Sequence, residues 1–130
     1  MKFIDTSFYL SATVESDSNN PKAKKIEEKI KNDEVCTSED VLKEILTLIS
    51  QRQGKEASIT FYNKLVTEAT IIPTTSDIFA KALEIFLNPK LNKDISLIDC
   101  VTAAICKDKG IKKIVAFDSH FKKLGLEVIQ

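Results

Sequence analysis

Lys2-Phe3-Ile4-Asp5-Thr6-Ser7-Phe8-Tyr9-Leu10 is the stretch from which the rest of the chain is read. Lys2 to Ile4 has the apolar, β-favouring character of a short buried strand, with Asp5 at its carboxyl end. The next residues, Thr6 to Ala12, suit a short helix. A strand that passes directly into a helix begins a βαβ unit, and such units build a parallel sheet covered on both faces. An ionised carboxylate at the tip of a buried strand is costly unless a counter-charge meets it. Asp5 therefore poses the question that the other acidic residues must answer.

The same alternation continues to the end of the chain. Glu15 to Asn20 is a polar loop, and Pro21 suits the first turn of a helix. From Lys22 to Lys31, Ala23, Ile26 and Ile30 recur at helical spacing among lysines and glutamates, an amphipathic pattern. Glu34 to Thr37 predicts a second strand. Ser38, followed by Glu39 and Asp40, caps a helix that runs to about Gln53 and stops at Gly54. Lys55 to Thr67 predicts a further helix turning Ile59, Tyr62, Leu65 and Val66 inward. Ala69 to Pro73 is a third strand, and Thr74 to Leu87 a helix opened by a Thr74/Asp77 capping box. After the polar loop Asn88 to Asp94, Ser96 starts a helix apolar nearly all round, as in a domain interior, which ends at Gly110. Lys113 to Phe117 is the fourth strand, Ser119 to Lys123 a short helix stopped by Gly125, and Leu126 to Ile129 a final strand. The fold class is α/β, with a central parallel sheet of four to five strands in one domain spanning residues 1–130.

Composition narrows the function. With 43% hydrophobic and 29% charged residues, the chain can bury one core. Basic and acidic residues balance at 19 each, so no global positive field announces a nucleic-acid binder. Arg52 is the only arginine, which leaves little scope for bidentate base readout and argues against sequence-specific duplex binding. The cysteines, Cys36, Cys100 and Cys106, lie in apolar runs without CxxC spacing and read as small buried hydrophobes in a reducing compartment. The strand at Lys2 leaves no room for a signal peptide, and no apolar run approaches the roughly 18 residues that span a bilayer. A cytoplasmic protein without a membrane segment is expected.

Four acids sit in apolar company: Asp5, Glu44 in VLKEILTLI, Asp99 in SLIDCVTAAI and Asp118 after KIVAF. Asp5 and Asp118 follow strands, which places both at the carboxyl edge of the sheet, where parallel α/β folds hold their sites. The helix beginning at Ser96 runs back along the sheet, so Asp99 in its first turn points to that edge. Glu44 is about 9 Å along its helix and reaches toward its N-terminus. It shares a face with Val41, Ile45 and Leu48, which puts it against the sheet. Each acid has a plainer reading. Asp5 and Asp118 can be helix caps, Asp99 the partner of Ser96 in a capping box, and Glu44 a solvent-reaching side chain. Convergence on one edge favours a common role. Clustered carboxylates raise one another's pKa and call for a cation, and an all-oxygen donor set suits Mg²⁺ or Mn²⁺. Such a centre suits phosphodiester hydrolysis.

Four segments, FIDTSFYL, SEDVLKEILTLI, SLIDCVTAAI and IVAFDSHFKKLGLEVI, make the whole chain resemble the PIN-domain ribonucleases and, in length and layout, the VapC-like toxins of toxin–antitoxin pairs. The resemblance implies a three-layer α/β/α PIN-like fold and endonucleolytic cleavage of RNA with Mg²⁺ or Mn²⁺. It further implies an antitoxin partner and often a homodimer. It carries the family's metal-binding acids onto Asp5, Glu44, Asp99 and Asp118, and its hydroxyl two residues after the first Asp onto Ser7. The chain departs at Ala116, where many relatives have Thr, and at His120, where many have a second Asp. His120 is the only histidine, and it lies within reach of the site to protonate a leaving group or contact phosphate, though a first-turn helix residue is the plainer reading. Lys24, Lys25, Lys29, Lys122 and Lys123 are candidates for RNA contact, with Phe8 and Tyr9 as candidates for base stacking or core packing. Two other readings stand beside the toxin: a PIN nuclease of RNA processing, and a non-catalytic PIN-like scaffold or protein-binding module.

Overall fold

A computed structural model describes all residues, 1–130. Five strands form one sheet: β1 (Lys2–Ile4), β2 (Val35–Ser38), β3 (Ala69–Ile72), β4 (Lys113–Val115) and β5 (Glu127–Ile129). All neighbours pair in parallel in the order β3-β2-β1-β4-β5. The helices are α1 (Thr6–Thr13), α2 (Asn20–Ile30), α3 (Glu39–Gln53), α4 (Lys55–Glu68), α5 (Ser76–Phe86), α6 (Leu97–Lys109) and α7 (His120–Lys123).

The strand order explains the layers. From β1 the chain steps to β2 and β3 in one direction and then returns to β4 and β5 in the other. Right-handed crossovers place α1 to α4 on one face and α5 to α7 on the opposite face. Side chains alternate accordingly. Phe3, Cys36 and Ile114 join a core with Ile78 and Ala82 of α5, most of α6 and Phe121 of α7. Ile4 and Val115, paired in register across β1 and β4, join Phe8, Ala12, Ala23 and Ile26 on the other side. The α6 helix is buried from Cys100 through Cys106, as its all-round apolar pattern implies. All three cysteines are buried and unpaired. Burial pushes the Cys36 thiol up to about 11 and Cys106 to about 12, so both are neutral packing groups.

Three local expectations change. On α4 only Leu65 of the proposed inward residues is buried, while Ile59, Tyr62 and Val66 are exposed. The helix packs chiefly on α3, and its buried Ser58 donates from Oγ to the Leu46 carbonyl at 2.8 Å. The α5 helix is capped by Thr75, whose side chain accepts from the Ile78 N–H, and not by Thr74. Thr74 instead ties the exit of β3 to the start of α3, its N–H donating to Glu39 Oε1 at 2.8 Å and its hydroxyl to Asp40 Oδ2 at 2.6 Å. The buried stripe of α3 is Val41, Ile45 and Ile49, so Glu44 stands at its flank, half-buried, and not in the face against the sheet.

Candidate active site

The reversal of strand order lies between β1 and β4, whose connections diverge to opposite faces, the position at which parallel α/β folds form a crevice beyond the carboxyl ends of the strands. Asp5 leaves β1 there. It is 7% exposed, caps α1, and its Oδ2 accepts both the N–H of Ser7 at 3.0 Å and the Ser7 hydroxyl at 2.7 Å. The Ser7 Oγ in turn accepts the N–H of Phe117 at 3.0 Å. One hydroxyl thus joins the exit of β1 to the exit of β4. The Asp5 N–H donates to the Val115 carbonyl at 3.0 Å and closes the same junction.

Asp118 lies beyond β4, separated from it by Ala116 and Phe117, so it ends a short extension and not the strand itself. Its Oδ1 accepts the N–H of His120 at 2.9 Å. Asp99 arrives from α6. The capping box read in the sequence is present, with Ser96 Oγ accepting the Asp99 N–H at 3.0 Å and Asp99 Oδ2 accepting the Ser96 N–H at 3.2 Å. The cap does not remove Asp99 from the crevice. It orients the carboxylate, which stands 3.9 Å from His120 Nδ1, itself 3.0 Å from Asp118 Oδ1.

Electrostatics bind the acids into one set. Burial raises the Asp5 pKa above its ordinary 3.8, the Ser7 hydrogen bonds pull against this, and the Asp99 charge raises it further. Burial likewise raises Asp99. The Ser96 backbone hydrogen bond opposes that rise, the Asp118 charge adds to it, and His120 lowers it. Asp99 is therefore the middle member, its charge opposing that of Asp5 and opposed by that of Asp118.

One ligand atom from each of Asp99, Asp118 and His120 lies within 4.8 Å of the others. Ligands about 2.1 Å from an octahedral ion stand about 3 Å apart when adjacent and about 4.2 Å when opposite. The 3.0 Å separation matches adjacent ligands and the 3.9 Å separation falls between the two, while the donor types suit a divalent cation. Asp5 and Glu44 both lie outside that group, and Glu44 makes no hydrogen bond or ion pair with its members.

The other candidates divide. Lys122 and Lys123 are exposed on α7, within one turn of His120. Lys24 lines a groove between α1, α2 and α4 and faces Glu27 at 3.7 Å, while Lys25 and Lys29 are exposed on the same helix. Phe8 is 3% exposed and stacks on Phe117 at 6.2 Å, so it is a core residue. Tyr9 sits edge-on to Phe61 at 5.4 Å. The feature the sequence reading missed is the second role of Ser7, the tie to Phe117, because the two residues are 110 positions apart.

The fold and site define a class: a parallel α/β domain with carboxylates and one imidazole grouped beside its switch point, a set that could hold a metal ion. The chain belongs to the PIN-domain family, whose model matches residues 2–126. It is 31% identical over 126 residues to the 23S rRNA-specific endonuclease VapC20 of Mycobacterium tuberculosis, covering 96% of this chain and 95% of the relative. The crystal structure of that protein, described as a sarcin-ricin loop cleaving toxin, superposes with a TM-score of 0.87 at 27% identity, over 98% of this chain and 97% of that one. The fold is also that of VapBC2 from Rickettsia felis, bound to a DNA fragment from its promoter, with a TM-score of 0.75 at 16% identity over 99% and 98% of the two chains.

Proposed function

We propose that this chain is a metal-dependent endoribonuclease of the cytoplasm, the toxin of a toxin–antitoxin pair, with ribosomal RNA as its substrate class. The observation that supports the reading is the grouping of Asp99, Asp118 and His120 within 4.8 Å, with the Asp99 charge felt by the buried Asp5 at the exit of β1. The named activity of the 31% identical relative supplies the substrate class.

Asp5, Glu44, Asp99 and Asp118 are the proposed ligands of Mg²⁺ or Mn²⁺. When bound, the cation supplies an activated water and offsets charge on the attacked phosphoryl group. The protein's own part is orientation. Ser7 fixes the Asp5 rotamer through two hydrogen bonds to one oxygen, and its link to Phe117 sets the spacing of the β1 and β4 exits. The Ser96 cap aims Asp99. Lys122 and Lys123 offer phosphate contacts beside the crevice, and Lys24 and Lys25 offer weaker ones from α2.

The partner reading rests on a groove of about 680 Å³ between α1, α2 and α4, with Phe8, Ala12, Phe61 and Leu65 among its apolar lining and Lys31, Lys64 and Glu68 among its charges. It is separate from the acids and suits an amphipathic segment of an antitoxin. Exposed Phe79, Phe86 and Leu87 on and after α5 suit a homodimer contact. No helix is long and apolar enough to cross a membrane.

The test is cleavage of purified ribosomal RNA with Mn²⁺, followed by mapping of the new ends. Discrete metal-dependent cuts that vanish in Asp5→Asn and Asp99→Asn are expected. Metal-independent cutting, or cutting unchanged in both variants, would overturn the reading and favour the scaffold.

A further inference from the structure

His120 places a nitrogen where the rest of the site offers only oxygen, and that nitrogen makes no hydrogen bond. This Nδ1 is shielded from solvent, and Asp118 Oδ1 is 3.0 Å away. The same Asp118 oxygen accepts the His120 backbone N–H, which fixes the start of α7. The 3.0 Å separation is that of adjacent ligands on one octahedral ion, and the 3.9 Å to Asp99 Oδ2 falls between adjacent and opposite positions. One atom of the imidazole and one of each carboxylate thus lie close enough to share an ion.

We infer that His120 is a direct metal ligand through Nδ1 and that it makes the centre prefer Mn²⁺ over Mg²⁺. The inference rests on the metal centre proposed above and concerns which ion that centre selects. Carboxylate and water suit Mg²⁺ and Mn²⁺ alike, whereas imidazole favours transition ions and does little for Mg²⁺. A single nitrogen among oxygens therefore shifts preference without excluding either ion. Asp99 and Asp118 are common to both ions, so His120 alone carries the difference.

The chain has one histidine, so any imidazole nitrogen on a bound ion comes from His120. The experiment uses the untagged full chain loaded with Mn²⁺, read by pulsed electron paramagnetic resonance for ¹⁴N coupling. Mn²⁺ and Mg²⁺ affinities are measured by calorimetry alongside. Nitrogen coupling in the native protein is expected, and His120→Ala should abolish it and reduce the Mn²⁺-over-Mg²⁺ preference about tenfold. His120→Asp, which restores an oxygen donor, should raise Mg²⁺ affinity while leaving the spectrum free of nitrogen coupling. Absence of ¹⁴N coupling in the Mn²⁺-loaded native protein overturns the inference, and that readout needs no variant to fold. An unchanged ion preference in His120→Ala overturns it too. If Asp5→Asn and Asp99→Asn bind Mn²⁺ as tightly as the native chain, the metal centre itself falls; if they lose Mn²⁺ while the native spectrum lacks nitrogen, only the role of His120 falls.

Discussion

Ser7 joins two strand exits because its hydroxyl donates to Asp5 and accepts from the Phe117 N–H, so its removal unmakes both contacts at once. Ser7→Ala should cost about 1 to 2 kcal/mol in urea denaturation, since it leaves a part-buried N–H unpaired, and should lower kcat more than it raises KM because Asp5 loses its orientation. The acids make the opposite bargain. Asp5 and Asp99 have raised pKa values in the folded state, so their protonated forms favour folding. For the metal-free protein that contribution is fully present below the ordinary 3.8 and is lost as pH rises through the raised values. Asp99→Asn, which keeps an oxygen for the Ser96 N–H but removes the charge, should abolish cleavage. It should also stabilise the metal-free protein by about 1 kcal/mol at neutral pH. Equilibrium denaturation at pH 4 and pH 7 checks the sign: the gain should be larger at pH 7.

Among the elements, α6 and its neighbours follow their sequence signals closely. Ser96 caps, Gly110 ends the helix at φ 69° and ψ 24°, and a Cβ there would meet no atom within 4 Å. Gly110→Ala should therefore cost only the left-handed backbone, about 1 to 2 kcal/mol, measurable as a lower urea midpoint without loss of cleavage in the native range. The α4 helix was less legible. Its apolar residues lie on two faces, and periodicity does not say which face meets α3. Ser58 and Leu65 turn in, partly because a serine hydroxyl finds the Leu46 carbonyl, and Ile59, Tyr62 and Val66 are left outside. Thr74 was read as the cap of α5, but Glu39 and Asp40 on another helix engage it and Thr75 caps instead.

At the scale of the whole molecule, clustered acids make the metal-free protein less stable than its core would allow. A cation that binds only the folded state should raise stability by RT ln(1 + [L]/Kd), about 2.7 kcal/mol at a hundredfold excess over Kd. Differential scanning fluorimetry with and without Mn²⁺, reversed by chelator, measures this, and Asp99→Asn should remove the response. The exposed aromatic residues of α5 lead to a separate expectation. Phe86→Glu should shift a dimeric species to monomer in light scattering while the fold, read by circular dichroism, is kept.

The sequence alone determined the alternation of strands and helices, the parallel sheet, the helix ends at Gly54 and Gly110, and the placing of Asp5, Asp99 and Asp118 at one edge. Those features follow from local periodicity, capping chemistry and the direction in which a helix must return along a sheet, all of which act over a few residues. The tertiary structure decided what depends on distant neighbours: that Ser7 reaches Phe117, that Glu44 stands at the flank of its helix, and that His120 Nδ1 lies beside Asp118 and Asp99 with no hydrogen bond. The physical reason is that rotation of a helix about its axis and the separation of two strand exits are fixed by packing against partners far along the chain. No spacing within a segment encodes either.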